Sequence, residues 1–252
     1  MTFRPAATSG RRACFALLAL CALLLTACRT LAPRQYEYDE EVHLSLGGSA
    51  TVYVNGSTAA LVALRGIDLD TRATARLDRA AIRRFFASDA AAVTRISTSR
   101  RQGRRFVHVR LEVSDVRRLG ESAPFAWSTY QLRQQDGQYV YVQTVGAPSG
   151  RDVGDVGWRG GELVAFRLHL PARILYHDAP SKQVERGNIL VWEQTLADRL
   201  KGAPVHIEAR MESASILYST ITLFATMAVV VLVLFALIIW WVVRKGRQTA
   251  VE

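Results

Sequence analysis

From Ile216 to Val243 the chain carries no charged side chain, and this run restricts the fold more than any other feature of the sequence. At about 1.5 Å per helical residue it is long enough to cross a hydrocarbon core of roughly 30 Å. Tyr218 stands near one end and Trp240 and Trp241 near the other, with Arg244, Lys245 and Arg247 following at once. Interfacial aromatics backed by a basic cluster read as membrane-interface anchors, and the positive cluster predicts a cytoplasmic C-terminus. A run this long and this uniformly apolar is not the pattern of a soluble core helix.

The other end of the chain is also greasy. Arg11 and Arg12 precede an apolar stretch from Ala13 to Leu25, too short to span a membrane and built like a signal peptide. It ends in Leu25-Thr26-Ala27-Cys28, which resembles the lipobox of bacterial lipoproteins. That resemblance implies cleavage before Cys28 and a diacylglycerol on its thiol. Export then places Cys28 outside, and the span re-enters from outside, so the two anchors agree on one topology. The expected organisation is a signal peptide over 1–27, a lipidated linker over 28–35, an exported domain over 36–215, a transmembrane helix over 216–243 and a basic cytoplasmic tail over 244–252. A lipid adds little retention to a chain that already has a spanning helix. Two attachments would instead fix the orientation and height of the domain against the bilayer.

Charge and cysteine content narrow the class of function. The formal net charge is +10. Taking away the basic residues of the leader and the tail leaves 26 basic against 21 acidic residues between them. The part between the ends is thus only modestly basic, and the overall charge does not indicate nucleic-acid binding. The cysteines are Cys14, Cys21 and Cys28. Only Cys28 survives cleavage, which excludes a disulfide, a thiolate metal site and a catalytic thiol from the mature domain. About 190 residues remain to build one core.

Those residues read mostly as strands. YEYDEEVHLSL alternates, with Tyr36, Tyr38, Val42 and Leu44 on one face and Glu37, Asp39, Glu41 and His43 on the other. Gly47-Gly48 turns it into SATVYV. Ser57 and Gly66 bracket a short helix, STAALVALRG, and Leu77, Ala81, Ile82, Phe85 and Phe86 form the stripe of a second. Gln102-Gly103 and Asp136-Gly137 mark two further hairpins, followed by four more strand-like runs. The sum is an α+β fold: a largely antiparallel sheet with one or two helices, plus the C-terminal transmembrane helix. Gly146 to Gly161 reads as a glycine-rich mobile loop.

The search for chemistry returns little. The histidines are His43, His108, His169, His177 and His206, and none forms a helical ligand pair. His169 and His177 straddle Pro171 and could face each other across a bend. Asp152 and Asp155 offer two carboxylates, too few for a cation. No nucleophile elbow and no phosphate loop occurs. Arg100, Arg101, Arg104 and Arg105 crowd a hairpin tip, which reads as a solvated turn or, if it points at the bilayer, as a contact for anionic headgroups. Trp127, Trp158 and Trp192 could line an apolar pocket. Without a convergent acid, base and nucleophile, no enzyme activity and no cofactor or metal are expected.

The order of parts resembles the LppM-type bacterial lipoproteins. The residues that carry it are Leu25 to Cys28, the hairpin HLSLGGSATVYV, the late run LPARILYHDA…GNILVWEQ, and the span. The resemblance implies an envelope domain with an apolar cavity for a lipid. Only Cys28 carries over residue by residue, and the glycine-rich loop and arginine tip have no counterpart. The expected function is a non-enzymatic lipoprotein held on the outer face of a bacterial cytoplasmic membrane. Its partners would be membrane lipid and a hydrophobic envelope molecule. An interaction or assembly module that contacts another membrane protein is the alternative, and an envelope hydrolase ranks third.

Overall fold

A computed structural model describes residues 34–72 and 74–249, with the side chains of Ser219 and of residues 242–249 outside the described set. Among the described residues, ten strands form two sheets. The six-stranded sheet has the order β3-β4-β2-β1-β7-β9 and the four-stranded sheet the order β5-β6-β10-β8. Every pairing is antiparallel except β1 (Tyr36–Leu44) with β7 (Leu163–His169), which is parallel. The α+β reading holds, with its strands divided between two sheets.

Local chemistry sets the hairpins. β1 turns through Ser45–Ser49 into β2 (Ala50–Ser57), with Gly48 at φ +92°. β3 (Ala91–Arg101) and β4 (Arg104–Val113) join through Gln102 at φ +50° and Gly103 at φ +73°. β5 (Ser128–Gln135) and β6 (Gln138–Val145) join through Asp136 at φ +51° and Gly137 at φ +74°. Two consecutive left-handed residues give the turn whose twist matches paired strands. Between β4 and β5 two short 3-10 turns, Val116–Glu121 and Ala123–Phe125, bury Val116, Leu119 and Phe125.

Helix α1 (Thr58–Arg65) is buried along its whole length, as its apolar sequence requires. The Ser57 hydroxyl accepts from the Ala60 amide at 3.1 Å, and Gly66 ends the helix at φ +75°. Gly56 lets this helix approach the sheet, since a Cβ there would lie 3.1 Å from Leu61 Cγ. Helix α2 (Arg79–Phe86) buries Ile82 and Phe86. Asp78 accepts from the amides of Ala80 and Ala81, so the helix starts two residues after Leu77. After β9 (Ile189–Thr195), Thr195 caps a one-turn helix, α3 (Leu196–Leu200), which begins where the strand-like run NILVWEQTL ends.

β10 (Val205–Ser215) pairs with both β6 and β8 (Ala172–His177). It passes without a linker into α4 (Ile216–Thr249), and the Ile216 amide donates to the Pro171 carbonyl at 3.1 Å. The first turn of α4 is thereby bound to the β7–β8 turn. The glycine-rich segment is irregular but tethered. Ser149 caps the end of α1 through the carbonyls of Val62 and Ala63, and the Trp158 indole donates to Glu37.

Candidate functional site

The predicted anchors divide into those inside and outside the described residues. Leu25, Thr26, Ala27 and Cys28 lie outside. In α4, Ile216–Trp241 has a mean hydropathy of 2.9 with none of its apolar window buried in the protein. It is long and apolar enough to cross a membrane. Tyr218, Trp240 and Trp241 are exposed along it. The helix runs on to Thr249 and includes Arg244, Lys245 and Arg247.

The four arginines of the β3–β4 tip do not act alike. Arg104 folds inward, only 15% exposed, with Nη1 3.3 Å from Glu37 and 3.5 Å from Glu162. Arg101 lies over the Phe106 ring at 4.3 Å, whereas Arg100 is exposed and Arg105 half-buried. The register places this tip beyond Ser57 and Phe106, at the end of the sheet where β1 begins. α4 starts at the other end, beside the end of β7. A nine-residue strand separates the two ends by roughly 30 Å. Headgroup contact by the tip therefore requires the strands to lie along the membrane surface.

The space between the sheets, where the resemblance implies an apolar cavity, is filled at its centre by an ion pair. Glu40 on β1 and Arg65 at the end of α1 are in contact, with side chains 1% and 0% exposed. Glu40 also accepts from Tyr38 (3.0 Å), Tyr130 (3.1 Å) and Gln143 (3.2 Å). Arg65 donates to Tyr38 at 2.9 Å and to the Pro124 carbonyl, and its guanidinium lies 4.1 Å from the Trp127 ring. Burial pushes the phenols of Tyr38, Tyr130 and Tyr141 far above their ordinary range, so each stays a neutral donor. Trp127 and Phe166 close over Tyr38, and Trp192 is buried with its indole on Asp178 at 3.0 Å. Trp127 and Trp192 thus belong to the core, while Trp158 pins the loop. Residue 40 has the same parity as Tyr38 and Val42, which was the available signal that a carboxylate points inward.

A bulge resets the parity at the start of β1. The register with β7 shifts between Tyr36 and Tyr38, so Glu37 turns inward and Tyr36 outward, where its hydroxyl meets Glu193. The outer face of the six-stranded sheet then carries Tyr36, Asp39, Glu41 and His43 from β1. Arg167 on β7 pairs with Asp39. Burial raises the Asp39 carboxyl to about 6, against the opposing pull of Arg167. On β4, His108 has both ring nitrogens engaged, by Asn55 at 2.9 Å and Ser99 at 2.8 Å.

His43 is the register partner of His169 across the parallel pair, and Glu41 lies two residues earlier on the same face. Glu41 Oε1 is 2.7 Å from His43 Nε2 and 2.6 Å from His169 Nε2. The imidazoles stack with centroids 3.8 Å apart and planes 18° apart. His169, followed by His43, holds the Glu41 carboxyl well below its ordinary range. His177 stands instead on β8 in the other sheet, opposite Ala209. His169 therefore does not face His177 across Pro171 but pairs with His43, because β7 docks on β1 before the chain turns. Strand parity places His43 and Glu41 on one face, but a pairing so distant in sequence leaves no local trace.

No family model matches the chain, and no curated protein matches it. Among solved structures the chain is similar to the NMR structure of the folded domain of Mycobacterium tuberculosis LppM. The TM-score is 0.40 and the identity 10%, over 75% of this chain and 96% of that one.

Proposed function

We propose that the chain is a single-span, membrane-anchored envelope protein, without catalytic chemistry of its own, that presents its two-sheet domain as an interaction module on the outer face of a bacterial cytoplasmic membrane. The observation that carries this reading is the junction of β10 and α4, where strand becomes spanning helix with no intervening linker. A domain coupled so directly holds a fixed face toward the bilayer. The filled centre between the sheets supports binding at the surface instead of inside a cavity.

The surface best suited is β8. It is an edge strand of the four-stranded sheet, and its Leu175 and Tyr176 are 45% and 47% exposed. An unpaired edge with apolar side chains is a template for a partner strand. A lipid or other hydrophobic envelope molecule on the same patch is the second reading. It is favoured by position, since Ala172 pairs with Ser215 at the start of α4 and Leu175 lies about 10 Å further along the strand. Photo-crosslinking from Leu175 in intact cells separates the two. Recovery of one stoichiometric membrane protein supports the module, recovery of lipid adducts supports the second reading, and no adduct of either kind refutes both.

A further inference from the structure

We infer that Glu41, His43 and His169 form a binding site for a single divalent transition-metal ion, with zinc the best match to the donors. The three donor atoms lie within 4.8 Å of one another. Two imidazoles and one carboxylate suit zinc and its neighbours, whereas calcium and magnesium require oxygen donors throughout. Rigid strands carry the ligands, and the register of β1 with β7 fixes His43 opposite His169.

Hydrogen bonding accounts for only part of the close packing of these groups. The His43 contact to Glu41 at 2.7 Å is a hydrogen bond. His169 Nε2 lies 2.6 Å from the same oxygen, an ion pair when the ring is protonated, but it is buried and no partner meets it in hydrogen-bond geometry. A buried ring nitrogen pressed against a carboxylate oxygen is unfavourable unless a shared cation or proton lies between them. A metal ion resolves that contact. With bonds of about 2.0–2.1 Å, tetrahedral ligand atoms stand about 3.3 Å apart. Glu41 Oε1 would therefore retreat by about 0.6 Å, and the stacked rings would turn until their lone pairs converge. His43, 40% exposed, has room to turn and leaves an approach for the ion. Arg167, two residues before His169 on β7, is held by Asp39. Three protein ligands leave one coordination position for solvent.

The test uses the full chain in detergent, purified without a histidine tag, stripped with chelator and titrated with zinc alone. The expected result is about one tightly held zinc per chain, with affinity reduced at least ~10-fold in His43→Gln and in His169→Gln. His177→Gln, in the other sheet, keeps wild-type binding. Substituted cobalt gives the visible bands of a low-coordinate site in wild type and loses them in His43→Gln. His43 is half exposed, so its variant keeps the test intact should His169→Gln misfold. Zinc bound no better by wild type than by His43→Gln, or bound equally by every variant, overturns the inference.

Discussion

Replacing Arg65 by methionine removes a cation while keeping most of its volume. Glu40 is then left 1% exposed with no counter-charge in contact. Breaking a buried pair from one side costs about 3–5 kcal/mol, a large share of the roughly 5–15 kcal/mol that holds a domain together. The Pro124 carbonyl also loses its donor, which places the loss toward the upper part of that range. With a urea dependence of about 2 kcal/mol per molar, the midpoint falls by roughly 2 M. The assay is urea unfolding of the chain in detergent, read by tryptophan fluorescence, to which Trp127 in contact with Arg65 contributes. Adding Glu40→Gln removes the stranded charge, so the double variant recovers about 1–3 kcal/mol relative to R65M. A midpoint unchanged in R65M, or a double variant less stable than R65M, refutes the reasoning.

Arg199 predicts the opposite sign. It is fully buried with Nη2 donating to the Gly146 carbonyl, while Nε and Nη1 have no hydrogen-bond partner and burial pulls its pKa down; removing a buried cation and two stranded donors outweighs the one lost bond, so Arg199→Met should leave the same urea midpoint unchanged or raise it. Glu162 is buried, which raises its carboxyl, but the amides of Arg159 and Gly160 together with Arg104 more than offset this and hold it below the ordinary carboxylate range. A carboxyl lowered on folding stabilises above its unfolded pKa and loses that contribution as pH falls through the folded value. Wild type should therefore lose stability as pH falls below the unfolded glutamate pKa of about 4.3, and Glu162→Gln should flatten that loss when midpoints are measured across pH. Gly66→Ala places a Cβ at φ +75° and 3.1 Å from the Ser149 Cβ, so it should cost about 1 kcal/mol or more by the same unfolding assay.

What could be read in advance follows the range of the interactions. Ser57 and Gly66 bracket α1, and Asp136-Gly137 marks its hairpin, because caps and tight turns are made by neighbours in sequence. The apolar run of α4 needs no partner to be recognised. The parallel pairing of β1 with β7 is different, since nothing near His43 announces His169. The bulge at Glu37 defeats simple alternation and exchanges the faces of Tyr36 and Glu37. Glu40 was legible through its parity with Tyr38, yet its partner Arg65 sits at a helix end covered by Pro124, Phe125 and Trp127, far away in sequence. The division into two sheets is set by how β10 pairs with both β6 and β8, which alternation alone does not encode.

Protease added to spheroplasts that express the chain with a C-terminal epitope tests the membrane account most directly. A domain on the outer face, followed by a spanning α4, predicts digestion of the two-sheet body with survival of a short, membrane-bound fragment that keeps the epitope. An intact protected chain, an epitope destroyed without permeabilisation, or the whole protein in the soluble fraction contradicts it.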